Sequence, residues 1–504
     1  MRRLASLPLF VLLIGLAALA MLAPVIHALA GRDWNLARAF AQPAALGLVL
    51  AAVLGIATAS NRSRNPARTQ LVTLLAAYTL LPLLLAVPFV EAVPGASLQA
   101  AWWEMLSAFT TTGATLFAAA DLPETVHLWR ATVGWLGGLF ALSTAAAILA
   151  PMHLGGFELL TGAPAGRGAV GATRVFRTAE SGARLGQAVL TILPLYGGAT
   201  ALLWLGLVLL GDPATVALCH AMSALATSGI TPLPDFAAAP SGISGEALIL
   251  LVFLFALSRR LYPLDRPGLM PQGISTDPEV RLAAIIVTGV TVLLVLRHWV
   301  ASFDDPVPET VLSLARAIWG TGFTALSFLT TTGFASSAWA ESQAWSGLTA
   351  PGLVLAGLAM IGGGVATTAG GVKLLRVYAL YRHGAREVER LIHPSSVGGA
   401  GPAERRLRRQ GARLAWIFFM IFALTICLTM LALSFAGLGF EAATVLTVSA
   451  LSNTGPLAGF ASGAPVAWSG LGGFAQAVLA AAMVLGRLET LAIIALLNPD
   501  FWRN

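Results

Sequence analysis

Long apolar stretches, each about the length of a membrane crossing, alternate with short polar connections along most of this chain. The hydrocarbon core of a bilayer is about 30 Å thick, and about 20 helical residues span it. Candidate spanning helices lie at residues 7–30, 43–59, 70–90, 129–152, 186–210, 245–262, 281–302, 347–383, 412–436 and 470–497. The segment 347–383 is too long for one crossing, and glycines interrupt it. The pattern predicts an all-α polytopic membrane protein.

Four short polar stretches in the connections between these helices are variants of one another. In each, a serine precedes a glycine by six residues, and one or more hydroxyl residues come just before the glycine. We call residues 107–113, 223–229, 327–333 and 449–455 the filter stretches. Because similar stretches recur at intervals of little more than a hundred residues, they predict four copies of one structural unit.

Apolar segments such as 98–109 and 215–225 run into the starts of the filter stretches and are too short to span a bilayer. They predict half-length helices that enter the membrane and are followed by an extended strand that returns. Such backbone is tolerated at membrane depth only where protein surrounds it or where it lines a water-filled cavity. We therefore predict four fused helix–pore-loop–helix repeats around a central ion pore, plus an N-terminal helix pair. The predicted bounds are 1–60 for the pair and 61–180, 181–275, 276–400 and 401–504 for the repeats.

The residue types in the filter stretches suit a cation. A partly dehydrated cation needs oxygen ligands, which convergent backbone carbonyls supply, and glycine reaches the dihedral angles that this requires without a Cβ penalty. The predicted ion-binding residues are Thr111, Thr112, Gly113, Thr227, Ser228, Gly229, Thr331, Thr332, Gly333, Asn453, Thr454 and Gly455. The fourth stretch is the least regular, so four-fold symmetry is expected to fail there first.

Composition and charge agree with a membrane protein. Only 11% of the residues are charged, against about 25% in soluble domains. Arginine-rich connections alternate with acidic ones that hold the filter stretches. The positive-inside rule then places the arginines and the N-terminus in the cytoplasm, so the net charge of +7 reports topology rather than nucleic-acid binding. Cys219 and Cys427 form no disulfide or metal motif.

With its four filter stretches and the glycine-rich segment 361–373, the chain resembles the Trk/Ktr/HKT superfamily of potassium transporters, most closely the bacterial TrkH-type membrane subunit. The resemblance covers almost the whole chain. In that superfamily a glycine in all four filters goes with a preference for potassium, so the resemblance implies potassium here. The resemblance also implies that the 361–373 loop lies beneath the filter and gates the pore, and that Arg487 faces the permeation path. The gate residues are then Gly362, Gly363, Gly364, Gly370, Gly371, Lys373 and Arg487.

The same resemblance implies a bacterial inner-membrane protein that contacts lipid, forms a homodimer and binds a cytosolic nucleotide-binding regulatory subunit of the TrkA type. Potassium is the transported ion, and no organic cofactor is expected. A cation-coupled secondary transporter of another solute is the alternative, although such folds usually show two inverted repeats. A membrane-embedded enzyme is a third hypothesis, without a catalytic constellation to support it. His220, in the second half-helix, is interpreted as structural rather than as a proton relay.

Overall fold

The computed structural model describes residues 9–58, 66–150, 181–263, 276–298, 311–348, 350–393, 412–460 and 465–488. Within these ranges the regular structure is helical, and no β-strand occurs. The helices up to the second repeat are α1 (Leu9–Ala20), α2 (Leu22–Ala30), α3 (Trp34–Thr58), α4 (Pro66–Thr79), α5 (Leu81–Ala92), α6 (Leu98–Phe109) and α7 (Glu124–Thr144). The remaining helices are α8 (Ser181–Leu209), α9 (Ala214–Ala226), α10 (Gly242–Leu257), α11 (Pro278–Leu296), α12 (Val311–Leu329), α13 (Trp339–Ser346), α14 (Pro351–Ile361), α15 (Leu374–Ile392), α16 (Ala412–Phe435), α17 (Phe440–Leu451) and α18 (Gly473–Leu488).

The helix order repeats itself four times after the N-terminal helices. In each repeat a spanning segment is followed by a pore helix that ends at a filter stretch and then by a further helix. The pore helices are α6, α9, α12 and α17. The observed architecture is therefore the predicted polytopic all-α one. The predicted domain boundaries after residues 60, 180, 275 and 400 fall at or inside stretches outside the described residues, so they stay predictions.

Two predicted helices contain a break. The helix expected at 7–30 is interrupted at Met21, because Pro24 has no N–H to donate to the carbonyl four residues earlier. The helix expected at 70–90 breaks at Leu80, where Pro82 has the same effect. By contrast, the helix predicted at 43–59 begins earlier: α3 starts at Trp34 and continues through Pro43. Proline therefore interrupts two of these helices, whereas α3 continues through its proline.

The third repeat differs from the other three. Its pore helix α12 has 19 residues, whereas α6, α9 and α17 have 12, 13 and 12. This helix packs against α13, and a Cβ added at Gly320 would lie 2.6 Å from the carbonyl oxygen of Ala338, the residue before α13. An exposed ion pair between Arg316 and Glu341 (3.0 Å) joins the same two helices. The segment predicted at 347–383 forms α14 and α15, with the glycine-rich loop between them.

The outer surface of the helices is apolar, as a lipid-facing surface must be. Eight helical segments within the described residues are long and apolar enough to cross a membrane. On α3, Leu46, Val49, Val53 and Ile56 form one exposed stripe at helical spacing. The interior instead buries large aromatic residues, among them Trp103 and Trp129. The chain is a multi-pass membrane protein. The predicted ends of the helices at 129–152, 281–302 and 470–497 lie outside the described residues.

Candidate functional site

The four pore helices end in the same tight turn. In each repeat the carbonyl of the first serine of the filter stretch accepts the N–H of the residue before the glycine, at 2.8–3.0 Å. This turn requires a left-handed residue two positions before the glycine. The residues are Thr111, Thr227, Thr331 and Asn453, with φ of 56°, 52°, 60° and 55°. This conformation is costly for a β-branched threonine. Strain repeated at four equivalent positions indicates a functional geometry.

The serine hydroxyls fasten each pore helix to the strand that follows it. Ser107 Oγ donates to the carbonyl of Ala114 at 2.7 Å, and Ser449 Oγ donates to that of Thr454 at 2.7 Å. In the third repeat, Ser327 Oγ instead accepts the N–H of Phe334 at 2.7 Å. In the second repeat, Ser223 Oγ accepts from Ser228 Oγ at 3.1 Å. The serine that defines the sequence pattern therefore connects each pore helix to the residues that follow it.

The filter glycines lie where the four stretches meet. A Cβ added at Gly113 would lie 1.8 Å from the carbonyl oxygen of Ser228, and one at Gly229 would lie 2.3 Å from that of Thr332. A Cβ at Gly333 would meet the ring of Pro456 at 3.0 Å, and one at Gly455 would meet the carbonyl of Thr112 at 2.7 Å. Each of the first two stretches thus contacts the next, the third contacts Pro456 directly after the fourth stretch, and the fourth contacts the first, so the contacts close into a ring. The structure brings all twelve predicted ion-binding residues together in this ring.

The fourth filter stretch departs from the other three. Gly113, Gly229 and Gly333 have φ of 73°, 65° and 83°, whereas Gly455 has no positive φ and begins a 3₁₀ helix that runs to Phe460. The N–H of Gly455 donates to the carbonyl of Thr112 at 2.6 Å. Asn453 Nδ2 donates to Thr112 Oγ1 at 3.0 Å and to the carbonyl of Met483 at 3.0 Å. The ring is therefore asymmetric, and its fourth and first stretches are tied by direct hydrogen bonds.

The glycine-rich loop follows α14 and is packed against backbone on several sides. A Cβ added at Gly364 would lie 2.2 Å from the carbonyl oxygen of Leu257, and one at Gly370 would lie 2.0 Å from that of Ser452. Gly363 is similarly close to the carbonyl of Ala256, at 2.6 Å. Gly362 and Gly371 both have φ of 76° and touch each other. At these five predicted gate positions, close packing or a left-handed backbone therefore requires glycine.

Hydrogen bonds attach the loop to three of the four repeats. Gly370 N donates to Thr331 Oγ1 of the third filter stretch at 2.8 Å. Thr368 Oγ1 donates to the carbonyl of Leu225, at the end of the second pore helix, at 3.1 Å. From the last helix, Arg487 Nη1 donates to the carbonyl of Thr368 at 2.7 Å. The loop thus connects the filter to Arg487, and the two predicted gate elements are in contact.

A second set of contacts holds the two ends of the loop. Val365 N donates to the buried carboxylate of Glu279 on α11 at 2.8 Å. Lys373 has φ of 84°, is buried, and donates Nζ to the carbonyl of Ala369 inside the loop. Glu279 was not among the predicted site residues, because nothing in its local sequence distinguishes it from other acidic residues at helix starts.

The space beside the loop is too small for a hydrated ion. A cavity of about 40 Å³ is lined by Tyr78, loop residues from Ala366 to Lys373, and Arg487. A water molecule needs at least about 10–15 Å³ of such volume, so this cavity holds a few waters at most. Among the described residues, Thr111 Oγ1, Asn453 Oδ1 and Arg487 Nε are buried without a hydrogen-bond partner. Such atoms are free to bind water or an ion.

Sequence reasoning interpreted His220 as structural but missed that it shares its position with other side chains that support the strands after the glycines. These residues occupy one position, three residues before the serine of the filter stretch. Glu104 accepts the N–H of Leu116 at 3.0 Å, and Thr324 accepts that of Ser336 at 3.1 Å. His220 Nε2 lies 2.9 Å from Thr231 Oγ1. Aligning the four stretches on their serines would have revealed a polar residue at this offset in the first three.

The support for the first strand is itself an ion pair. Arg130 Nε lies 2.7 Å from Glu104 Oε1, and both side chains are buried. His220 packs edge-on against Phe236 and Phe334, with ring centroids 5.0 and 5.8 Å apart, which is the contact pattern of a structural residue. Within the described ranges, no group of three or more histidine, cysteine, aspartate and glutamate residues could hold a metal ion.

Known proteins resemble the chain over nearly its whole length. The sequence profile of the TrkH family, described as "Cation transport protein", matches residues 272–501. The Trk system potassium uptake protein TrkH of Salmonella typhimurium is 29% identical, with 96% of each chain covered. The Trk system potassium uptake protein TrkI of Halomonas elongata is also 29% identical, covering 91% of this chain and 90% of its own.

A solved structure has the same fold. The crystal structure of the potassium transporter TrkH from Vibrio parahaemolyticus superposes with a TM-score of 0.80, at 24% sequence identity. The match covers 99% of this chain and 100% of the other. The family profile and the whole-length relatives lead to one conclusion: the chain is similar in sequence to the TrkH family of cation transport proteins, and it shares the fold of the solved transporter.

Proposed function

We propose that this protein carries potassium into the cell through the ring of four filter stretches. The observation that carries the proposal is the closed ring itself, in which three of the glycines lie against carbonyl oxygens of a neighbouring stretch and Gly333 lies against Pro456, directly after the fourth stretch. Convergent carbonyls replace the water of a partly dehydrated potassium ion. Whole-length relatives named as potassium uptake proteins support this choice of ion. Potassium is the substrate, and its ligands are the twelve filter residues predicted from the sequence.

The 361–373 loop acts as the gate in this proposal. It lies against the third filter stretch through Gly370 and Thr331, and it contacts Arg487 through Thr368. Opening requires the loop to leave these contacts and enlarge the cavity beside it. The positive charge of Arg487 then lies on the ion path, where it limits how long a cation stays.

The remaining features of the proposal concern the setting of the protein. The chain resides in the bacterial inner membrane with its N-terminus in the cytoplasm, as the arginine distribution indicates. The exposed apolar stripes of its helices contact lipid. It works as a homodimer with a cytosolic nucleotide-binding subunit of the TrkA type, and it needs no organic cofactor. The support for this partner and for the dimer is the family resemblance.

Growth at low potassium tests the proposed function. Expression of the chain is expected to restore growth of a cell that lacks its own potassium uptake systems, and the growth should depend on external potassium. A control chain shortened before the fourth filter stretch should not restore it. This proposal fails if the full chain reaches the membrane without restoring growth and the purified chain in vesicles carries another solute instead. That result would support the secondary-transporter alternative.

Replacing Gly333 with serine is expected to lower the selectivity for potassium over sodium about tenfold. The residue has φ of 83°, which costs a residue with a Cβ about 1–2 kcal/mol. Its nearest neighbours are ring atoms of Pro456 rather than backbone, so the protein should still assemble. Ion flux through purified protein in vesicles, with potassium and sodium compared, measures the ratio. An unchanged ratio in a folded variant would remove Gly333 from the filter.

A further inference from the structure

A buried carboxylate outside the filter stretches accepts four short hydrogen bonds. Glu246 lies on α10 of the second repeat and is 2% exposed. Its Oε2 accepts from Trp319 Nε1 at 2.7 Å and from Ser336 Oγ at 2.6 Å. Its Oε1 accepts from Ser337 N at 2.6 Å and from Ser337 Oγ at 2.7 Å. A carboxylate has about four lone-pair sites, so the acceptor capacity of Glu246 is fully used.

All four donors belong to the third repeat. Ser336 and Ser337 follow Gly333 on the strand that leaves the third filter stretch, and Trp319 lies on the pore helix α12 that leads into it. Glu246 therefore holds both arms of the third pore loop from the neighbouring repeat. Within the described ranges no cation pairs with Glu246, whereas Glu104 pairs with Arg130. Its charge is balanced by N–H and O–H dipoles alone.

We propose that Glu246 is a positioning residue for ion selectivity. It fixes the strand after Gly333 and so sets the position of the third filter stretch within the ring. The inference rests on the proposed potassium function. Charge-assisted hydrogen bonds are shorter and about twice as strong as neutral ones, so a carboxylate holds this strand more rigidly than a neutral side chain would.

The donor types explain why an amide cannot replace the carboxylate. Each carboxylate oxygen accepts one hydrogen bond from a hydroxyl and one from an N–H. The hydroxyl can rotate and accept a hydrogen bond instead, whereas the N–H can only donate. Oε1 faces the backbone N–H of Ser337, and Oε2 faces the indole N–H of Trp319. In Glu246→Gln, the amide nitrogen would face one of these donors in either orientation. Removing the indole N–H relieves the conflict, because the amide could then donate to the hydroxyl of Ser336.

The experiment compares potassium and sodium flux through purified full-length chain in vesicles. Glu246→Gln is expected to lower the potassium-over-sodium ratio about tenfold, since it loses a charge-assisted bond and gains an unmatched donor. The double variant Glu246→Gln/Trp319→Phe is expected to recover most of the ratio. Asp212→Asn is the matched control: Asp212 is a buried carboxylate of the same repeat that accepts from Ser241 N and Oγ at 2.8 and 3.0 Å. It should keep the parent ratio.

Each outcome decides the inference. A parent-like ratio in folded Glu246→Gln overturns it, and so does a double variant that is folded but not rescued. If Glu246→Gln does not fold, Ser337→Ala is measured in its place, because this change removes only the hydroxyl donor to Oε1. The potassium-over-sodium ratio is then expected to fall about two- to threefold. An unchanged ratio overturns the inference. A parent chain that carries no potassium overturns the proposed function and, with it, this inference.

Discussion

Potassium flux through the Gly113→Ala variant is expected to fall on the order of a hundredfold. The added Cβ would lie 1.8 Å from the carbonyl oxygen of Ser228, so the first and second filter stretches must move apart. Overpacking of this kind costs about 1–3 kcal/mol, and the φ of 73° adds about 1–2 kcal/mol for a residue with a Cβ. A total of roughly 3 kcal/mol corresponds to about a hundredfold in the population of the intact ring. Potassium flux into vesicles that contain the purified variant measures this fall.

Gly95→Ala is the matched control for the backbone part of this effect. Gly95 has a similar φ of 83°, but nothing lies within 4 Å of an added Cβ. It is a turn residue between α5 and α6, outside the filter stretches. Its variant should lose some stability and keep its flux. If the Gly113 and Gly95 variants carried potassium equally well, contact between the stretches would not be what requires glycine in the ring.

The sequence predicted the parts of this site that depend on a repeated local pattern. Four serine-to-glycine stretches predicted four pore loops, because apolar segments such as 98–109 and 215–225 are too short to span. The third pore helix, α12, has 19 residues and is long enough to span, so there the prediction depended on the filter stretch itself. The glycine-rich interruption in 347–383 predicted the loop between α14 and α15 for a similar reason. In both cases the signal lies within a few neighbouring residues, and the membrane restricts the backbone conformations that such residues can adopt.

The contacts between repeats could not be predicted in this way. Glu246 and its donors Trp319 and Ser336 are far apart in the chain, so no window of sequence contains the cluster. The same holds for Glu279 and Val365. Each of these acidic residues is unremarkable in its own helix. Its role depends on which repeat lies beside it, and that is decided by the closure of the ring.

The asymmetry of the ring has a partly local origin. At the position where Glu104, His220 and Thr324 support the strand after the glycine, the fourth repeat has Leu446. An apolar residue cannot accept or donate a hydrogen bond, and this strand forms a 3₁₀ helix from Gly455 to Phe460 instead. The substitution is visible in the sequence, whereas the direct bonds from Asn453 and Gly455 to Thr112 depend on the assembled ring.

The resting flux of the Glu279→Ala variant is expected to rise between about tenfold and a hundredfold. In the closed loop, the buried N–H of Val365 has its acceptor in the carboxylate of Glu279. Hydrogen bonds to charged groups contribute about 1.5–3 kcal/mol, and this contribution acts only while the loop is closed. Alanine leaves the N–H unpaired in the closed state but not in an open, hydrated one. The equilibrium therefore shifts toward open by the corresponding factor.

Glu279→Gln distinguishes the hydrogen bond from the charge. The glutamine keeps an oxygen that accepts the N–H of Val365. A neutral hydrogen bond then replaces a charge-assisted one, so the resting flux of this variant should stay within about threefold of the parent. Both variants are measured as purified chain in vesicles, without any other protein, so that only the loop itself controls the flux. Because Glu279 touches the loop and none of the filter stretches in its hydrogen bonding, the alanine variant should keep the parent ratio of potassium to sodium. A rise in flux with that ratio intact identifies the loop as the gate; an unchanged flux means that the Glu279–Val365 bond does not hold it closed.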